Sequence, residues 1–411
     1  MTTERRSRAA RSFAVGLVIL LVAGCSPASP SGTTSHSASA LPSPSGLESS
    51  NPSPARPSPS EQAGFVALRS LPAAALDDAR TAKLQEALEA AIRYGAPDVI
   101  ASVITEEGTW AGAAGIAGPG GRKATADDEF AIASLSKTLT AVLLMRLAEK
   151  GTIDLDAPVA EYMGEVDVDT NGATVRQLLA MRGGLADSRP DAKDLIGADP
   201  SRAWTWAERI AGFPPPILTP GEYHYSSPSY ELLAFAAEQA TGVSYGQALR
   251  AEILDPVGAD RILDQEVGGT TPQPWAVPID EHLGGYDETD IGAGGAISCI
   301  SSASFGTGAG SVASDAPSLA RWLWHLFAGD ILEVATLDPM ITAGLQGWAY
   351  GFESAPYTEP DSLANSGSKT GYGAQWVYFP KSRAIVVIFV NDPDFIVEPT
   401  VSALLAAAVG P

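Results

Sequence analysis

Ser134 and Lys137 stand three residues apart in "AIASLSKT" (131–138), directly ahead of the apolar run "LTAVLLMRLAEKG" (139–151). On a helix, positions i and i+3 share a face, so this hydroxyl and this ammonium can meet while Ser136 points elsewhere. A serine hydroxyl is a poor nucleophile until a neighbour removes its proton. A lysine can remove it when burial weakens its own hold on a proton, or it can stay charged and favour a neighbouring base as an anion. A helix start adds free backbone N–H groups and partial positive charge for a developing oxyanion. A plain helix entry, with Ser134 as the cap and Lys137 solvated, is the simpler account of the pair taken alone.

Other candidate chemistry is weaker. Gly242-Val243-Ser244-Tyr245-Gly246 has the spacing of a nucleophile elbow, the signature of an α/β-hydrolase. That motif needs a strand before it. Here a helical pattern precedes it, so Gly242 reads as a helix C-cap and Ser244 as the next N-cap. His36, His224, His282 and His325 are scattered and form no zinc pattern. "GPGGRKAT" (118–125) lacks phosphate-loop spacing, and Cys299 reads as a small core residue.

The elements that must position these residues follow from periodicity. Residues 76–95 have helical spacing, an acidic first turn and Gly95 at the end. Residues 98–118 read as two strands around Glu107-Gly108. From 150 to about 300 the pattern is short helices and loops, followed by a helix over 316–328. The chain closes with a strand from Gly373, a turn at Lys381-Ser382-Arg383, a strand over Ile385–Val390 and a helix over 398–409. Ile385–Val390 is apolar on both faces and should be a central strand. This order predicts an α+β fold: a mixed sheet from both chain ends, an all-helical lobe inserted between them, and a site in the cleft. The α/β part is expected at about 64–135 and 340–411, and the lobe at about 136–339.

The net charge of −22 makes nucleic acid an unsuitable partner. Residues 26–62 are rich in Ser, Pro, Thr and Gly and should form a disordered tether. Ahead of it, Arg5–Arg11 and an apolar run have the order of an export signal. Leu21-Val22-Ala23-Gly24-Cys25 resembles a bacterial lipobox. The resemblance implies a signal peptide over 1–24, lipidation of Cys25, a tether over 25–62 and a place on the outer face of the cytoplasmic membrane.

Residues 130–163, which hold the opening stretch, resemble the serine β-lactamase and penicillin-binding protein superfamily. The branch is that of class C β-lactamases, D-alanyl-D-alanine carboxypeptidases and related esterases. The likeness continues in order through 174–187, 216–249, 306–323 and 364–392 ("ANSGSKTGYGAQWVYFPKSRAIVVIFVND"), within a domain of about 64–411. It implies a β-lactamase/transpeptidase-like fold with an antiparallel sheet flanked by helices. It also implies that Ser134 is the acylated nucleophile, Lys137 its partner and Tyr225 the phenolic base, whose anion needs the charge of Lys137. The branch's Tyr-x-Asn appears here as Tyr225-Ser226-Ser227, so Ser227 stands where an amide would grip substrate. Two registers compete for the third motif: Asn365-Ser366-Gly367, which is preferred, and the literal Lys369-Thr370-Gly371, which sits too close to the next strand. The backbone N–H groups of Ser134 and Ser368 would then form the oxyanion hole. Asn365 carries no charge where the branch has a cation, unless Lys369 reaches in. Met181-Arg182-Gly183-Gly184-Leu185 replaces a segment often His-Thr-Ser-Gly-Leu and is given no role.

The expectation is a serine hydrolase acting through an acyl-enzyme on a β-lactam, a peptidoglycan stem peptide or a small ester or amide. Side chains and backbone fill every role, so no metal or organic cofactor is expected. The alternative is a non-catalytic module that binds cell-wall peptide on the same fold.

Overall fold

The computed structural model describes residues 65–187, 191–265, 276–277, 297, 299–355, 357 and 359–410. Cys25 and the expected signal and tether lie outside them. The strands are β1 (Asp98–Thr105), β2 (Gly108–Gly115), β3 (Phe130–Ala131), β4 (Leu263–Asp264), β5 (Val312–Ser314), β6 (Glu353–Ser354), β7 (Leu363–Lys369), β8 (Tyr372–Phe379) and β9 (Ala384–Val390). The first helices are α1 (Asp78–Arg93), α2 (Ser136–Glu149), α3 (Val175–Leu179), α4 (Ala192–Ala198), α5 (Trp206–Ile210) and α6 (Ser227–Thr241). They are followed by α7 (Tyr245–Leu249), α8 (Ile300–Phe305), α9 (Ala316–Ala328), α10 (Val334–Leu345) and α11 (Glu398–Val409).

Both chain ends build one six-stranded sheet in the order β2-β1-β9-β8-β7-β6. Every neighbouring pair in it is antiparallel, so the sheet is not mixed. Each residue of β1 and β9 is buried. Side chains alternate along a strand, so Val386, Ile388 and Val390 join one core and Ile385, Val387 and Phe389 the other. α1 and α11 pack together over the first face. The second face meets α9 and the buried side of α2.

The lobe centres on α2, α6 and α7, which pack on one another. Two features mark its far end in the structure. A small sheet, β3-β5-β4, closes it near Ser314. α9 lies on β1 and β9, because its apolar stripe carries three large rings. Trp322 and Trp324 bond the carbonyls of Ile253 and Arg69, and Phe327 stacks on Tyr378 at 4.2 Å. The Ser244 alternative finds no support: Ser244 caps α7 in a capping box with Gln247, and Gly242 ends α6 in the left-handed conformation.

Candidate active site

Ala133–Leu135 form one tight 3-10 turn that runs into α2. Ala133 has φ 49°, a left-handed conformation that a residue with a Cβ rarely adopts. No side chain caps α2, so the Ser134 hydroxyl is not spent as an N-cap. It accepts instead from Lys137 Nζ at 3.0 Å and from the Tyr225 phenol at 3.1 Å. Lys137 is 1% exposed and also donates to the Ala309 carbonyl at 2.8 Å. Its ammonium lies 5.0 Å from the centre of the Tyr225 ring, within the range of a cation–π attraction. Ser136 faces away, donating to Ala133 O and accepting from Val312 N–H. The three expected catalytic residues therefore meet at one oxygen.

Tyr225 is held from two sides that sequence reasoning missed. Trp348 packs edge-on against it at 5.6 Å and against Tyr230 at 5.5 Å. Below, the Met181 carbonyl accepts from His224 N–H and the Met181 sulfur from Ser226 N–H. The segment given no role thus clamps the chain on both sides of Tyr225. Arg182, donating to Gly221 O, and Gly184, accepting from Ile217 and Leu218, extend the same seam. Met181 bends there with φ 54°, a feature without a side-chain pattern in the sequence.

Ser227 is not brought to the cleft. Ser226 takes the cap of α6, its hydroxyl accepting from Ser229 N–H. Ser227 opens the helix, and its backbone N–H donates to Asp187 at 2.9 Å.

β7 brings the other expected residues alongside Ser134. Asn365 is 2% exposed. Its amide donates to Thr138 Oγ1 at 3.0 Å and Ser134 O at 3.3 Å. Trp376 Nε1 donates to the same Thr138 hydroxyl, which itself donates to Gly351 O. The Asn365 amide thereby ties β7 to α2, and the residue also lines the cleft in front of Ser134. Gly367 lies so close that a Cβ there would sit 2.5 Å from Ile132 O and 2.9 Å from Ser134 N. Ser366 and Ser368 are exposed along the same strand. The Lys369 ammonium donates to the Gly310 carbonyl at 3.0 Å, next to the carbonyl that holds Lys137. Thr370-Gly371 forms the turn into β8, with Gly371 at φ 76°, so the literal Lys-Thr-Gly ends in a hairpin.

Two titratable side chains, half-buried Lys369 and buried Glu231, stand behind this arrangement. Burial lowers Lys369 to about 8, and the charge of Lys137 acts in the same direction. Burial raises Glu231 on α6 to about 7, opposed by the charges of Arg209 and Lys137. In front of Ser134 a cleft of about 540 Å³ opens between Tyr225, Trp348, β7 and the start of α11.

A hydroxyl that accepts from a buried ammonium and a phenol, beside an open cleft, can serve as a nucleophile once one of those two neighbours has lost its own proton and can take the hydroxyl's. Known proteins share this architecture. A D-amino acid amidase from Ochrobactrum anthropi SV3, solved with L-phenylalanine amide, superposes with a TM-score of 0.66 at 22% identity, over 80% of this chain and 98% of that one. The fold is therefore the β-lactamase/transpeptidase-like α+β fold. A 6-aminohexanoate-dimer hydrolase of Paenarthrobacter ureafaciens is 30% identical over 149 residues, 33% of this chain and 38% of that protein. Protein flp of Staphylococcus aureus (strain MW2) is 27% identical over 139 residues, 33% of this chain and 28% of its own length. Both matches span well under half of these relatives. The family model for Beta-lactamase matches residues 77–410, from the cap of α1 through the end of α11, and the chain belongs to that family.

Proposed function

We propose that the protein is a serine hydrolase that cleaves an amide or ester through an acyl-enzyme on Ser134. The observation that carries this reading is the Ser134 oxygen, which meets both Lys137 Nζ and the Tyr225 phenol within 3.1 Å. Tyr225, as phenolate, takes the Ser134 proton while Ser134 Oγ bonds the substrate carbonyl carbon. Lys137 supplies the positive charge the phenolate requires. The oxyanion is received by the backbone N–H groups of Ser134 and Ser368. Tyr225 then passes the proton to the leaving nitrogen or oxygen, and the scissile bond breaks. Water gives a proton to Tyr225 and bonds the acyl carbon; Tyr225 returns that proton to Ser134 Oγ as the acyl–oxygen bond breaks, which frees the acid and restores the serine hydroxyl and the phenolate. The names of the amidase and the dimer hydrolase favour an amide. The neutral Asn365 speaks against a substrate held chiefly by its carboxylate, as β-lactams and stem peptides are.

The test is intact mass after exposure to a fluorophosphonate and, separately, to penicillin. The expected result is a phosphonate adduct that disappears in Ser134→Ala. Absence of both adducts, with cell-wall peptide still bound, would support the non-catalytic module instead, and a phosphonate adduct without a penicillin adduct would point to an esterase. The lipobox around Cys25 extends the proposal to a lipid-anchored protein on the outer face of the membrane. Metabolic labelling with a fatty acid, lost in Cys25→Ala, checks that part.

A further inference from the structure

The charges that border the cleft bear on what it admits. Glu353 and Glu398 line it, and no lysine or arginine does so among the described residues. Lys137 lies beneath Ser134, Lys369 is directed at Gly310 O, and Asn365 is neutral. A substrate carboxylate in front of Ser134 would meet like charge, whereas an ammonium would meet opposite charge.

Glu353 is the better placed of the two. Glu398 sits in the first turn of α11, where the helix dipole already favours a carboxylate. Glu353 stands on β6 where three hollows meet: the catalytic cleft, one of about 700 Å³ beside Trp348, and one of about 640 Å³ beside Tyr357. β6 pairs with β7 through Glu353 and Ser354 opposite Ala364 and Leu363. Backbone pairing places no demand on a charged side chain. The Glu353 carboxylate accepts from Ser366 Oγ at 3.5 Å, long for such a bond, and no ion pair holds it among the described residues. The nearby arginines are engaged elsewhere, Arg176 with Asp156 and Arg182 with Gly221 O. Burial raises the carboxyl's hold on its proton, against the hydrogen bond from Ser366, the expected cost of a half-desolvated charge with no ionic partner among the described residues. An arriving ammonium removes that cost, and the chain's net charge of −22 favours its approach.

We propose that Glu353 is a specificity-determining residue, and that the cleft takes amides or esters carrying a free ammonium group on the portion lying over β6 and β7. This rests on Ser134 being the nucleophile.

The experiment is protection of Ser134 in the full chain from fluorophosphonate labelling. The competitors are alaninamide, with a free ammonium, and N-acetylalaninamide, which lacks it. Alaninamide is expected to protect at a concentration lower by about tenfold or more, as a charged hydrogen bond would give. That ratio should fall towards one in Glu353→Gln and be kept in part by Glu353→Asp. Comparison is made within each variant, so a slower overall labelling rate does not enter. Equal protection by the two competitors, no protection by either, or an unchanged ratio in Glu353→Gln overturns the proposal while the Ser134 reading stands. Failure of the unprotected protein to label overturns that reading, and the inference with it.

Discussion

β9 and β7 lie in one sheet with only β8 between them, and they are built on opposite rules. Every β9 residue is buried and the strand is paired on both sides, with β1 and β8. β7 is paired with β8 throughout, but with β6 only at Leu363 and Ala364. From Asn365 onward its second edge faces the Ser134 turn. There the side chains are small or polar and burial alternates. A central strand is stabilised by what its side chains bury. A strand that walls a reactive group instead brings its backbone close, and gives up side-chain bulk to do so.

The sharpest way to break this contrast is Gly367→Ala. The added Cβ would meet Ile132 O and Ser134 N at 2.5 and 2.9 Å, so the nucleophile or the strand must shift. Displacing one oxyanion donor costs about 10²–10³ in rate, and phosphonate labelling should fall by that much. The melting temperature should fall far less than the labelling rate. If labelling survives within a few-fold, the close approach of β7 has no bearing on the reaction.

The counterpart on β9 is Ile388→Ala. Ile388 is 1% exposed in the core beneath α1 and α11, so its truncation should cost about 2–5 kcal/mol of stability. Denaturant unfolding measures that loss. The folded fraction should still label at the parent rate, because Ile388 points away from the Ser134 side. A large loss of labelling in folded protein would show that the two strands are not separable.

The same contrast governs how much could be read from the chain before the structure. β9 was legible because bulky apolar residues on both faces are the direct signature of a doubly covered strand. α9 and α11 fall on the expected 316–328 and 398–409, each marked by a dense apolar pattern. The register of β7 was legible as well, since Lys369-Thr370-Gly371 sits too near the next strand and forms the turn. The convergence of Ser134, Lys137 and Tyr225 was legible from the family likeness, whereas the pair Ser134 and Lys137 alone was compatible with a capped helix. The supports of the site were not legible. Met181 acts through its carbonyl, its sulfur and a left-handed backbone, and Trp348 acts through a ring contact with a residue distant in sequence. β6 is two residues long, too short for any periodicity to announce Glu353. Asn365 lies on β7, and the destination of its amide depends on Thr138, which no local pattern links to it.

A smaller effect concerns charge next to the covered strands. Asp98 opens β1, and its carboxylate accepts from Asn391 N–H just beyond β9 at 2.7 Å. Burial raises it to about 8 from an ordinary value of 3.8. The folded state therefore keeps a proton that the unfolded chain sheds above about pH 4. This contribution to stability is complete below that pH and is lost as pH rises towards 8. Glu129 and Glu231, raised by burial to about 8 and about 7, act in the same direction. Lys369, lowered to about 8, reverses the trend above pH 8, where the folded state is the first to lose that proton. Melting temperature should thus decline from pH 5 to 8. Asp98→Asn keeps the acceptor for Asn391 and should flatten the decline. Even one unit of the shift corresponds to about 1.4 kcal/mol. An unchanged slope in the variant would remove Asp98 from the account.

The smallest expected effect is at Ser227, and it tests whether β7 is the wall that matters. The likeness to the family's Tyr-x-Asn motif makes Ser227, two residues beyond Tyr225, a candidate for gripping substrate. In the structure the neighbouring Ser226 takes the cap of α6, which leaves Ser227 to begin the helix outside the cleft. Its hydrogen bond to Asp187 runs from the backbone N–H, which alanine retains. Ser227→Ala should therefore change stability by no more than about 0.5 kcal/mol, the usual range for a surface substitution away from special features. Labelling should remain within about twofold, a difference below roughly 0.5 kcal/mol in barrier. A loss of about tenfold, equivalent to about 1.4 kcal/mol, would mean that substrate is gripped from the α6 side as well. The division of labour drawn from β7 and β9 would then describe only one wall of the cleft.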